Sequence, residues 1–257
     1  MVLDFFRSLA DPLSIYKSID GRLSVSDRPY KIAKTREDGE KDLLMLALED
    51  EKEAAFIFSE DSGIWYNFRR GGGPVGEYGS QGVDIPINID LSIFGERLTS
   101  YHTHPLKTTI RDTNAKLNSH ALTPSQKYAK ESGDHSVLHW FQSIVPSIED
   151  ADVDITLLGS NLGCYLDFRI VSGFGRTDAA FVPGRLHGHE TVIRRYSRAH
   201  MEVRAMLEEA YMGRRQKYDG DLERFRTDTV NTINSSMKGM LNTSITLYHD
   251  LFASPGL

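Results

Sequence analysis

The spacing of apolar residues changes along the chain, and each change marks a different kind of element. Val2, Leu3, Phe5, Phe6 and Leu9 fall on one side of a helix, Pro12 interrupts, and Leu13, Ile15 and Tyr16 resume. This predicts an amphipathic start that docks on the body. Leu43, Leu44, Leu46 and Ala47 in a charged surround predict a helix over 36–51. The runs Ala54–Phe58 and Ile64–Phe68 flank Ser59-Glu60-Asp61-Ser62-Gly63, a pattern that predicts a β-hairpin. Further strands are expected near Val83–Ile89 and Arg97–Tyr101. Residues 106–135 are polar with little periodicity and read as an inserted loop with some helix. Ile155–Leu158 and Cys164–Val171, around Gly159-Ser160-Asn161-Leu162-Gly163, read as a second hairpin. The tail differs: apolar residues recur every three or four positions over 190–211 and again over 222–251, broken by Gly213–Gly220. That spacing predicts a helical hairpin that must bury its stripe on the body or on another copy. The fold class expected is mixed α+β/α/β, with an N-terminal helix and linker over 1–35, a body over 36–180 carrying an insertion at 106–145, and a helical extension over 186–257.

Composition narrows the function classes. A length of 257 residues fits one large domain or a domain with an appendage. Thirty basic against thirty-six acidic residues give a net charge of -6, which argues against a phosphate-binding surface and so against nucleic acid as a partner. No window has the long apolar run a membrane span needs. The N-terminus carries Asp4 and Arg7 within its apolar stretch, unlike a secretory signal, and a cytoplasmic location is expected. A single cysteine, Cys164, excludes an intramolecular disulfide framework and a cysteine-rich zinc ribbon; it reads as a small core residue. Gly71-Gly72-Gly73 lacks the Gly-Lys-Ser/Thr ending of a phosphate cradle and reads as a loop.

Candidate chemistry lies elsewhere. Glu53 stands at a strand start, His102-Thr103-His104-Pro105 at a strand end, and Ser147-Ile148-Glu149-Asp150 further on. Side chains two apart on a strand share a face, so both imidazoles can reach one zinc ion at about 2.0–2.1 Å. Asp150 would be a third ligand, leaving a fourth position for water, the open coordination of a catalytic site. A nearby carboxylate would complete the proton transfers.

This order of residues resembles the JAMM (MPN+ or JAB-type) zinc metallopeptidases, whose pattern is a glutamate, then His-x-His-Pro, then Ser-x-x-Asp. Ser147-x-x-Asp150 is the only Ser-x-x-Asp after His104. The resemblance spans roughly residues 36–172 and implies a cytidine-deaminase-like JAB/MPN fold, a mixed sheet flanked by helices. It implies one zinc held by His102, His104 and Asp150, Glu53 as general base and acid, and Ser147 donating to the oxyanion. It further implies a hydrolase that cuts an amide at the C-terminus of a ubiquitin-like protein or its conjugate, as prokaryotic members do beside ubiquitin-like conjugation systems, some tied to phage defence. The chain departs from the pattern in the long spacing between His104 and Ser147, which places an insertion beside the cleft as a lid or docking loop. Glu51, Glu60 and Glu77 remain alternatives to Glu53. Relatives without the ligands serve as scaffolds, and others act on small peptides or conjugates; the tail helices would suit self-association or a partner.

Other chemistry-bearing groups have plainer readings. His187-Gly188-His189-Glu190 reads as a loop and helix start, His135 and His139 as positions on an exposed polar helix, and Trp65 and Tyr66 as hairpin residues. Ser147 also suits the N-cap of a helix begun by Glu149 and Asp150.

Overall fold

The aromatic-rich runs seen in the sequence pair as strands of one sheet. The computed structural model describes residues 31–50, 53–68, 90–119, 121–132, 136–161, 163–182, 188–211 and 222–247. The helix expected at the N-terminus, the loop expected at Gly71–Gly73 and the strand expected near Val83–Ile89 lie outside the described residues. Strand β1 is Lys31–Ala33, helix α1 is Arg36–Glu49, and β2 (Ala55–Ser59) and β3 (Ile64–Phe68) form the expected hairpin. Gly63 closes its turn at φ 66, a conformation glycine adopts without a Cβ clash. Strand β4 is Arg97–His104.

From β4 the chain crosses over through four helices before returning as β5 (Tyr165–Ser172), which pairs with β4 in parallel. These helices are α2 (Leu106–Leu117), α3 (Pro124–Ser132), α4 (Ser136–Ile144) and α5 (Ile148–Ser160). Three expectations are corrected here. The insertion is helical nearly throughout and not a loop: Thr108, Thr109 and Thr113 are buried, which is why it looked polar. Its last part, around His139, is an apolar helix with Leu138, Phe141, Ile144 and Val145 in the core rather than an exposed polar one. Ile155–Leu158 belong to α5, so no hairpin precedes β5; a four-residue apolar run fits a buried helix as well as a strand.

Strand β6 (Gly175–Phe181) pairs antiparallel with β5. The tail opens with the expected helices, α6 (His189–Tyr211) and α7 (Leu222–Met237). The second does not run on to residue 251 as the helical extension over 186–257 required. Residues Leu241–Leu247 are strand β7, paired antiparallel with β6 from Gly175↔Leu247 to Phe181↔Leu241. Among the described residues the sheet has seven strands in the order β1-β3-β2-β4-β5-β6-β7. The extension is thus woven into the body.

Helices cover both faces unequally. On one face α1 lies over Phe56, Phe58, Trp65, Tyr101 and Val171, with Leu43 and Ala47 buried against them. Gly39 lets the helix approach: a Cβ there would sit 2.3 Å from the Trp65 ring, whose Nε1–H donates to the Thr35 carbonyl. At the rim of this face Tyr101 Oη donates to Glu40 at 2.6 Å, and Arg36, Arg169 and Arg176 all ion-pair with Glu40. The opposite face carries the larger core, where Leu166, Phe168, Phe181 and Ile245 meet residues of the crossover and tail helices. Val192, Tyr196, Ala199, Val203 and Leu207 of α6 are all buried, so its apolar stripe is used within the chain, while Met201 stays exposed. Among the described residues no helix is long and apolar enough to cross a membrane.

Candidate metal centre

Alternation along β4 sends Tyr101 and Thr103 to the α1 face and His102 and His104 to the other. The register Ala55↔His102 continues past the end of β2: Thr103 N–H donates to the Ala54 carbonyl at 2.9 Å, and Ala54 N–H to Thr103 Oγ1 at 3.0 Å. These bonds bring Glu53 level with His104. Ala54 and Ala55 are fully buried.

Asp150 arrives from the crossover. Ser147 is the N-cap of α5: its Oγ accepts from Asp150 N–H at 3.0 Å, and Asp150 Oδ2 accepts from Ser147 N–H at 2.7 Å. This reciprocal box fixes the carboxylate at the helix N-terminus. His102 Nε2 and His104 Nε2 are 2.9 Å apart, and Asp150 oxygens lie 3.6 Å from the first and 3.8 Å from the second. One ligand atom from each residue falls within 4.8 Å of the others, so His102, His104 and Asp150 could hold a metal ion.

The donor chemistry fits such an ion. His104 Nδ1 is 3.0 Å from the Ser143 carbonyl, which can only accept. Nδ1 therefore carries a proton, which leaves Nε2 as the ring nitrogen that can face an ion, the arrangement that orients metal-bound histidines. Burial, with His104 beside it, lowers His102 to about 4 against the pull of Asp150, so this imidazole is neutral near pH 7. Burial alone would raise the Asp150 carboxyl. His102, His104 and the Ser147 hydrogen bonds outweigh it and hold Asp150 below the usual range.

A cavity of about 670 Å³ opens beside the trio and is lined by Glu53, His104, Ser147 and Asp150 together. Its walls come from α2 (Thr108, Thr109, Asp112), α4 (Phe141, Gln142) and α6 (His200, Arg204). The insertion thus forms a wall of the cleft. Glu60 is far from it, at the other end of β2, where it pairs with Arg36 and accepts from Thr99 Oγ1. Glu51 and Glu77 lie outside the described residues. His189 pairs with Asp152 at 2.9 Å at the start of α6, in keeping with a helix-start role; His135 and His187 are outside the described residues. Cys164 is buried and free.

Two neighbours escaped the motif reading. Asp154, buried one turn after Asp150, has its carboxyl pushed well above the ordinary range by burial and by the Asp150 charge. Tyr196 is buried on α6 and donates its hydroxyl to the Pro146 carbonyl at 2.8 Å. The i, i+4 spacing of Asp150 and Asp154 was available as a signal; nothing in the sequence linked Tyr196 to Pro146.

No family model matches this chain, and neither does any curated protein or solved structure.

Proposed function

We propose that the protein is a zinc-dependent isopeptidase or peptidase of JAMM type with a JAB/MPN-like body. The observation that carries this reading is the cavity lined by Glu53, Ser147, His104 and Asp150, the last two belonging to the His102–His104–Asp150 cluster. Two imidazoles and one carboxylate are the ligand set of an open zinc site. Zinc held there supplies Lewis acidity, polarising a carbonyl and making water nucleophilic near neutral pH.

The rest of the chemistry falls to the chain. Glu53 holds the proton released from water and passes it to the leaving nitrogen, since a departing amine needs protonation. The Ser147 hydroxyl has its oxygen engaged by the Asp150 N–H, which leaves its own hydrogen to donate to the oxyanion. The Ser143 carbonyl keeps His104 in one tautomer.

The substrate we propose is an amide at the C-terminal tail of a ubiquitin-like protein or its conjugate. A small peptide or conjugate is the second reading, and one observation favours it. Strand β4 is paired with β2 on one side and with β5 along its whole length on the other. Among the described residues, β4 is therefore paired on the β2 side as far as Thr103, which leaves a tail little strand edge to extend beside the cluster. The tail must enter a cleft whose volume suits a drug-sized group.

Elemental analysis of the purified chain, followed by incubation with ubiquitin-like fusions and short peptide amides with and without chelator, tests the proposal. One zinc per chain and chelator-sensitive cleavage are expected. Absence of zinc, or cleavage indifferent to chelator, overturns it.

A further inference from the structure

The tail helix α6 brings a histidine to the cleft that no part of the glutamate, His-x-His and Ser-x-x-Asp pattern includes. Tyr196, one turn earlier, is locked by its hydrogen bond to the Pro146 carbonyl, immediately before the cap residue Ser147. That bond fixes the position of α6 relative to the metal centre. A residue four positions on lies on the same helix face, and His200 accordingly lines the cavity with Glu53, His104, Ser147 and Asp150. Its ring rests on Phe141 of α4, with centroids 5.5 Å apart, which limits its orientation. Glu149 and Asp150 from α5 and Arg204 from α6 act on it electrostatically, so it sits within the field of the site. Among the described residues its partly buried imidazole makes no hydrogen bond.

We infer that His200 is a substrate-contacting residue of this cleft, hydrogen-bonding the polar backbone of a peptide segment beside the amide to be cut. The inference rests on the proposed hydrolase reading. It also gives the C-terminal helices a role in the site itself. An imidazole braced on an aromatic ring and facing a polar cleft can donate to a carbonyl or accept from an amide. A glutamine can do the same, whereas a phenylalanine can only keep the tilted ring contact with Phe141.

The test compares His200→Gln with His200→Phe in the full-length, zinc-supplemented protein, using a pool of short peptidyl-aminocoumarin amides. Both variants should keep wild-type zinc content and melting temperature. His200→Phe should lose on the order of tenfold in kcat/KM, mainly through KM, as for loss of one substrate hydrogen bond, and His200→Gln should restore most of it. A His200→Phe protein with wild-type KM, or a His200→Gln protein as impaired as His200→Phe, overturns the inference. A second readout does not need turnover: the His200 imidazole NMR signals of metal-free protein should shift when the same pool is added. Absent hydrolysis by wild type would count against the proposed function, and unmoved His200 signals would count against this contact.

Discussion

Glu53 has its place because two hydrogen bonds extend the β2–β4 pairing by one residue beyond the strand, through Ala54 and Thr103. Glu53→Gln keeps the shape but cannot hold a proton. Zinc content and melting temperature should match wild type while turnover of a cleavable amide falls ~10²–10⁴-fold; unchanged turnover would remove Glu53 from the chemistry. Asp154 offers a test by pH. Its folded-state pKa is raised, so the folded form binds a proton that the unfolded chain releases above the ordinary carboxylate range. Its contribution to stability is full below the unfolded pKa and is lost as pH rises through the folded one. Asp154→Asn should therefore raise the melting temperature at neutral pH, with the gain vanishing toward pH 3–4 (roughly the unfolded aspartate value). An equal gain at every pH would show that Asp154 is not the source. Residues with fixed chemistry and order were legible in the sequence: the His-x-His pair, Ser147 and Asp150. Asp154 and His200 were not, because their importance comes from which helix faces lie against the site.

At the scale of elements, legibility followed the uniqueness of the spacing. Alternating aromatics around a glycine turn gave the β2–β3 hairpin, and the charged-flanked leucines gave α1. Strand β7 was hidden because Met237, Leu241 and Ile245 are four apart, a spacing that fits both the helical repeat and the two-residue alternation of a strand. Gly39 lies in α1 where propensity alone would prefer alanine, yet a Cβ there meets the Trp65 ring. Gly39→Ala should cost ~1–3 kcal/mol, the range for overpacking a filled core, read as a lower urea midpoint. A stabilised variant would mean that α1 can shift off Trp65 freely.

At the scale of the whole molecule, the tail is part of the sheet. A chain ending after Val182 would lack β7 and the α6 stripe, leaving Phe168 and Phe181 without the residues that cover them. It is expected to show no cooperative thermal transition, whereas an extension used only for association would leave a melting body behind. The sequence suggested such an appendage because its long apolar stripe resembles assembly helices; only the three-dimensional pairing of β6 with β7 shows where the stripe is spent.

The β4–β5 crossover separates the ligands along the chain: His104 ends β4, Asp150 opens α5, and residues 105–149 lie between them. Bringing such distant points together in a free chain costs about 4 kcal/mol of loop-closure entropy, on the scale used for cross-links of that span. Folding has already met that cost through α2, α3 and α4, and an ion bound by His102, His104 and Asp150 would inherit a closed loop. Such a metal would be the beneficiary of the fold and not its builder. An isolated peptide covering 97–150, with every ligand present but no sheet to close it, should bind zinc on the order of 10³-fold more weakly than the whole chain, and comparable affinity in a competitive chelator titration would show that the ligands gather without the fold.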